Sequence, residues 1–346
     1  MKTLDLKSDD REIAVILGIP INRMDYDSVM KRIFEFTDML SETGCRMVAT
    51  VNVDFMVNSH SFLWHHGHPE MCDILRRADL VTPDGMPLVL LSKMLGIALP
   101  ERVAGVDLVQ MIAEKAATNG KKLYFLGGAP DATQEAADIL CSRFPGLCIA
   151  GISTPWVKLD DSAESKKIDD EICETINAVA PDILLIGFGN PKQEQWLMRN
   201  QSRLKAPVAI GIGGTFNFIS GKVKRAPKWV QKSGLEWIYR IIQEPARLWK
   251  RYTLGLFVFG GLSCNALLAS LLGLSLSFAG HRRAENLLNE ESKIVILDCR
   301  SIYFCSNALR VQILSAIRYA EQNQINFQII NANPILKLQL HAHRMI

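Results

Sequence analysis

Ile183-Leu184-Leu185-Ile186-Gly187-Phe188-Gly189-Asn190-Pro191-Lys192-Gln193-Glu194 decides the fold: a β-rich apolar run empties into a turn of glycine, asparagine and proline, then restarts as a helical pattern. Outward from it the same alternation fills residues 13 to 212. Strands are expected at Ile13 to Leu17, Arg46 to Val51, Lys122 to Leu126, Ile183 to Gly187 and Val208 to Ile212. Helices are expected at Tyr26 to Leu40, Val106 to Asn119, Asp131 to Phe144, Ser162 to Ala180 and Lys192 to Asn200. This is the sequence form of a parallel sheet with crossover helices, so an α/β layered domain is predicted.

Two further strands run into glycine turns, Leu126-Gly127-Gly128 and Gly211-Ile212-Gly213-Gly214. Backbone N–H groups in such turns can approach a ligand, and ligands of open parallel sheets sit at the carboxyl ends of the strands. A phosphate-bearing ligand fits, although each turn alone is satisfied by tight chain reversal. None spells GxGxxG, which counts against a nucleotide-dependent oxidoreductase with an ordinary dinucleotide fingerprint.

The 346 residues accommodate one large domain and a smaller module, and 48% hydrophobic with 22% charged residues excludes extensive disorder. Charge is unevenly placed. From Gly221 to Arg251 nine Lys or Arg meet two acids, Glu236 and Glu244, so this segment carries +7 of a whole-chain +3 and leaves the remainder at −4. Its partner is therefore expected to be local and anionic. Trp229, Trp237, Tyr239, Trp249 and Tyr252 interleave with those cations, as at a membrane surface. No nucleic acid partner is expected, because nothing else in the chain resembles an RNA- or DNA-binding module.

From Tyr252 to Gly280 run 29 residues without a formal charge, and a spanning helix needs about 20 apolar residues. Gly260-Gly261 and Asn265 interrupt this stretch, and both flanks are basic. Three readings stand: a re-entrant or interfacial anchor with both ends cytoplasmic, a full span, and a buried helix of a soluble fold. The N-terminus, MKTLDLKSDDRE, lacks the apolar region and cleavage site of a secretory signal and is expected in the cytoplasm. The eight cysteines are scattered, with no zinc spacing, and suit a reducing compartment. His60, His65, His66 and His68 lack supporting carboxylate or cysteine spacing, so they are read as a surface helix-to-loop segment rather than a metal site.

Asp84 closes Leu80-Val81-Thr82-Pro83-Asp84-Gly85, a carboxylate at the end of a short apolar strand where proline and glycine turn the chain. An ordinary turn aspartate looks the same. Its company gives it meaning: Thr50-Val51-Asn52, Ala78 to Gly85, Arg102-Val103-Ala104-Gly105-Val106-Asp107, Gly187 to Glu194, and Gly213-Gly214-Thr215-Phe216-Asn217-Phe218 leading to Gly221 through Pro227. With these ordered motifs, over about residues 13 to 252, the chain resembles the WecG/TagA/CpsF glycosyltransferases, glycosyltransferase family 26.

The resemblance implies a Rossmann-like catalytic domain over 1–220, an inverting mechanism without a required metal or other cofactor, a UDP-sugar donor and a polyprenyl-diphosphate-linked acceptor. It places Asp84 as the general base with Thr50 and Asn52 beside it, Arg102 and Gln193 at the substrate, and Asn217 where the family usually has aspartate. An amide there can hydrogen-bond a sugar hydroxyl but cannot act as a base. It makes 221–252 a basic membrane-docking appendage whose Arg240, Arg247 and Lys250 close over the donor diphosphate, Lys250 standing where arginine is usual. The expected location is the cytoplasmic face of the plasma membrane, with 253–273 as anchor or linker. A non-catalytic membrane scaffold is the alternative from another class.

The last segment, 274–346, reads strand (Leu274 to Phe278), helix, strand (Ile294 to Leu297), helix (Ala308 to Gln322), strand (Phe327 to Ile330), a second small α/β unit. Ile294 to Asp298 followed by Phe304 to Leu309 resembles a degenerate STAS domain, which would put Ser306 at the position phosphorylated in such domains. A protein partner at this module and a homo-oligomer are both compatible with it.

Overall fold

The computed structural model describes residues 2–3, 12–39, 44–61, 63–232, 235–276, 285–289, 293–299, 302 and 305–345. In chain order the strands are β1 (Lys2–Thr3), β2 (Ile13–Ile16), β3 (Ile19–Asn22), β4 (Arg46–Val51), β5 (Leu80–Pro83), β6 (Lys122–Gly127), β7 (Cys148–Ser153), β8 (Ile183–Gly187), β9 (Val208–Gly211), β10 (Glu285–Asn289), β11 (Ile294–Asp298) and β12 (Asn326–Ile330). The helices are α1 (Tyr26–Asp38), α2 (Val53–Ser59), α3 (Pro69–Arg77), α4 (Met86–Met94), α5 (Gly105–Asn119), α6 (Pro130–Arg143), α7 (Ala163–Val179), α8 (Lys192–Asn200), α9 (Thr215–Ile219), α10 (Lys228–Lys232), α11 (Glu236–Gln243), α12 (Pro245–Leu276), α13 (Asn307–Gln322) and α14 (Pro334–Ala342).

A six-stranded, all-parallel sheet in the order β5-β4-β9-β8-β6-β7 forms the centre. Its inner strands are covered on both faces, which is why Ile183 to Ile186 and Val208 to Ile210 are wholly buried. One face packs on α1, α5 and α6, the other on α2, α3, α8 and part of α12. After β5 the chain crosses to β6 on the far side of the sheet, so the carboxyl ends of β4, β9 and β8 open onto a crevice at the switch in strand order.

Ile13 to Leu17 does not join this sheet. Leu17 and Gly18, at φ 49° and 77°, turn the chain back on itself, so β2 and β3 form an antiparallel hairpin. The hairpin packs beneath the C-terminal unit: Val15 N–H donates to Asn307 Oδ1 at 3.0 Å and Asn307 Nδ2 donates to the Ile13 carbonyl at 2.8 Å. Strands β5 and β7 complete the parallel sheet at its two edges.

Residues 252–276 of the apolar stretch belong to one continuous helix, α12, in which Gly260 and Gly261 sit without a break and which crosses the expected boundary between residues 252 and 253. Leu248, Val258, Leu262, Ala266 and Ala269 are buried at helical spacing, and three of them join the core on one face of the six-stranded sheet. The opposite face exposes Trp249, Leu256, Phe257, Leu268 and Leu271. Leu248–Leu271 has the length and composition to cross a membrane, yet here one side of it is packed on protein along its length.

The expected strand at Leu274 to Phe278 is corrected over residues 274–276, which continue α12, while residues 277–278 lie outside the described ones. Gly273 is accommodated within the helix, and Leu274 to Leu276 carry it on. The helix expected before Ile294 is instead strand β10, paired antiparallel to β11. The strand, helix and strand expected from Ile294 to Ile330 are found as β11, α13 and β12, with β11 and β12 parallel, while α14 and the pairing of β1 with β10 in a sheet ordered β1-β10-β11-β12 were not expected. This unit braces the end of α12, where Gln339 Nε2 donates to the Ala269 carbonyl at 3.0 Å and buried His343 stands between Ser270 and buried Arg310.

If α12 is a core element on one side only, Leu262→Ala should cost about 2–5 kcal/mol in denaturant unfolding, whereas Leu268→Ala, at 62% exposure, should stay within about 0.5 kcal/mol.

Candidate active site

Asp84 follows the last residue of β5, and its backbone is fixed before its side chain is considered: Asp84 N–H donates to the Val51 carbonyl at 2.7 Å and Val103 N–H to the Pro83 carbonyl at 2.8 Å. The carboxylate accepts from the Gly105 N–H at the start of α5. A Cβ built on Gly105 would lie 3.5 Å from Thr215 Oγ1 and 3.6 Å from both Asp84 Oδ2 and Thr50 Oγ1, so three side-chain oxygens converge there. Both threonines face inward by their own hydrogen bonds, Thr50 Oγ1 donating to the Gly211 carbonyl at 2.8 Å and Thr215 Oγ1 to the Ile212 carbonyl at 2.7 Å.

Burial pushes the Asp84 carboxyl up to about 7, against the pull of the Arg102 guanidinium and the Gly105 N–H. A carboxylate poised there can accept a proton near neutral pH. Beside it opens a cavity of about 360 Å³, with Asn52, Arg102, Arg225, Glu236 and Arg240 on its polar side and Phe218, Trp237, Tyr252, Leu256 and Phe259 on its apolar side. Leu256 is 64% exposed, so the cavity mouth is continuous with the bare apolar face of α12.

The cations are held differently. Arg102 Nη1 reaches Glu236 Oε2 on α11 at 2.7 Å. Arg225 forms a two-pronged pair with Asp107, both contacts at 2.5 Å, and although burial opposes ionisation of Asp107, that guanidinium holds its carboxyl below the usual range. Arg240 lies 5.2 Å from the Phe218 ring centroid, and its buried Nε has no hydrogen-bond partner among the described residues. Arg251 pairs with Asp54, adding a second clip between the basic helices and the cavity wall.

The other residues singled out from the sequence fall in distinct places. Asn52 lines the cavity and caps α2, its Oδ1 accepting from Asp54 N–H at 3.0 Å. Gln193 is buried behind the glycine turns and accepts from Gly213 N–H at 3.0 Å and Gly189 N–H at 3.2 Å. Asn217 sits on α9, partly buried and off the cavity lining, with its carbonyl taken by Val223 N–H. Lys250 is exposed, its Nζ 5.7 Å from the Trp249 ring centroid and away from the cavity. Arg247 belongs to α12, and its side chain lies outside the described ones. Thr215, Arg225 and Glu236 were not singled out; the first two lie inside quoted motifs, and Glu236 abuts the Trp237 to Arg240 run.

His60 is corrected from a surface to a core position: it is 5% exposed, with Nδ1 at 2.8 Å from the Met56 carbonyl and Nε2 at 2.8 Å from the Leu17 carbonyl. Among the described residues no three His, Cys, Asp or Glu gather in a metal-binding group.

Asp84 also makes a stability prediction. Its folded-state pKa is raised, so its contribution to stability is lost as pH rises through about 7. Thermal melts of Asp84→Asn should therefore gain on the wild type above that pH and lose the advantage below it.

Comparison with known proteins agrees with this geometry. Residues 14–271 match the Glycosyl transferase WecG/TagA/CpsF family. The chain is 32% identical over 235 residues, 67% of its own length and 85% of the relative's, to an N-acetylglucosaminyldiphosphoundecaprenol N-acetyl-beta-D-mannosaminyltransferase of Bacillus spizizenii. A Staphylococcus aureus protein of the same name is 27% identical over 192 residues, covering 56% of this chain and 72% of the relative. The scaffold and oxidoreductase alternatives are set aside: the chain belongs to the WecG/TagA/CpsF family and is a glycosyltransferase.

Proposed function

We propose that the protein transfers a hexose or N-acetylhexosamine, with inversion, from a UDP-sugar to a polyprenyl-diphosphate-linked acceptor at the cytoplasmic face of the membrane. The observation that carries this reading is the Asp84 carboxyl, raised to about 7 and set at the edge of a cavity walled by arginines on one side and by α12 on the other. The acceptor hydroxyl attacks the anomeric carbon, its proton passes to Asp84, and the bond from that carbon to the diphosphate oxygen breaks. UDP leaves with the bonding electron pair.

Negative charge gathering on that leaving group needs preorganised donors. Arg240 has an Nε without a partner among the described residues, and Arg102 can exchange Glu236 for phosphate. With these side chains supplying the positive charge, no metal is required. Relatives named for an undecaprenyl-diphosphate-linked acceptor support the acceptor class.

An acceptor with a long apolar tail must bring its sugar to Asp84 while the tail stays in lipid. The exposed Trp249, Leu256 and Phe257 beside the cavity mouth, with Ile242 on α11, suit an interfacial seat rather than a span. Lys250 and Arg251 sit among them, as expected at an anionic surface. The STAS-like unit would act as a brace for α12 and a place for a protein partner to dock.

The test is UDP release with a panel of UDP-sugars and a synthetic polyprenyl-diphosphate glycan. Asp84→Asn should lower turnover by about 10²–10⁴-fold; full turnover in that variant would remove the base assignment.

A further inference from the structure

Glu194 is 2% exposed, and no cation pairs with it among the described residues. It takes no part in the chemistry outlined above, yet it sits at the centre of a hydrogen-bond chain whose polarity can be followed atom by atom. Gly189 and Gly213 N–H donate to Gln193 Oε1. Gln193 Nε2 donates to Glu194 Oε1 at 2.6 Å, Asn190 Nδ2 donates to Glu194 Oε2 at 3.1 Å, and Asn58 Nδ2 donates to Asn190 Oδ1 at 2.6 Å. Two amide groups thus point their N–H bonds at Glu194 from opposite sides. Only a group that accepts on both oxygens satisfies them, and an ionised carboxylate does so.

The consequence reaches the site. With its N–H committed to Glu194, Gln193 has to present oxygen to the two glycine turns, which ties the end of β8 to the end of β9. With its N–H likewise committed, Asn190 presents oxygen to α2, whose first turn carries Asn52 and Asp54 in the cavity wall. Gly211 is glycine for the same reason: a Cβ there would lie 2.5 Å from Gln193 Nε2 and 2.8 Å from Glu194 Oε1. The Gly211 carbonyl is the one that Thr50 uses to face Asp84.

We propose that Glu194 is a positioning residue, its carboxylate setting the orientation of Gln193 and Asn190 and through them the spacing of the glycine turns, Thr50 and α2 about the transfer site. The effect on turnover rests on the function proposed above; the orientation itself does not.

Charged side chains on the packed elements are engaged elsewhere. On α8, Lys192 lies over Trp156 and Arg199 pairs with Asp169; on α3, Glu70 accepts from Gln195, Arg76 pairs with Asp73 and Arg77 with Glu321; on α2, Asp54 pairs with Arg251. Strands β8 and β9 carry no charge. Burial accordingly pushes the Glu194 carboxyl up to about 7, with the two amides pulling the other way.

The test is a swap of amide and acid in the full-length chain. Glu194→Gln either sets an N–H against an N–H or forces the Asn190 and Asn58 amides to turn over, and should lower kcat/KM for the donor by about tenfold to 10²-fold. The double variant Gln193→Glu with Glu194→Gln restores an unbroken chain, carboxylate toward the glycine turns and amide between it and Asn190, and should recover most of the loss in thermal midpoint. Wild-type kcat/KM in Glu194→Gln, or a double variant no better than the single, would overturn the proposal. Thermal midpoints at about pH 8.5 give an assay-independent readout. There the double variant should melt above a Glu194→Gln chain that folds poorly; equal midpoints would count against the orientation, whereas absent transfer in the wild type would count only against the proposed function.

Discussion

The site depends on one constraint, the partial desolvation of a carboxylate at the end of β5. Asp84 is held there by backbone bonds it cannot escape, with a single N–H from α5 and the field of Arg102 offsetting the cost of its charge. Arg102 is in turn held by Glu236 from α11. The basic helices are therefore not an appendix to a finished pocket. They supply the acid that positions the cation that tunes Asp84, and they form half of the cavity wall.

That linkage explains the form of α12. A helix meant only to span lipid would be apolar all round and indifferent to the domain beside it. This one has a core face of Val258, Leu262 and Ala266, a cavity face at Leu256 and Phe259, and a bare apolar face beyond. The C-terminal unit grips its far end through Gln339 and the Arg310–His343–Ser270 contacts. The helix thus has one end in the cavity wall and the other against α13 and α14 of the C-terminal unit.

Much of this was legible in the sequence because local signals and tertiary outcome agree. Arg46 to Val51, Ile183 to Gly187 and Lys192 to Asn200 have the expected bounds, since apolar runs, glycine turns and helical spacing all pointed one way. Asp84, Asn52, Arg102 and Arg240 could be named from the sequence and line one cavity, with Thr50, also named, buried behind it. Partnership was less legible. Ile13 to Leu17 has strand character whichever sheet takes it, and only the Leu17-Gly18 turn sends it into a hairpin. Gln193 carried no mark that its oxygen would be spent on two backbone amides. Glu236 resembled any surface acid in a basic segment until α11 folded against Arg102. These are contacts between distant parts of the chain, and residue patterning does not encode them directly.

The proposed place of transfer is where Asp84, the glycine turns and the arginines of α11 and its neighbours meet. A crystal structure of the complex with UDP tests it most directly. The diphosphate should lie within reach of Arg102 and Arg240, on the Asp84 side of the crevice above β4, β9 and β8. A nucleotide seated away from Asp84, or on the opposite end of the sheet, would contradict the account.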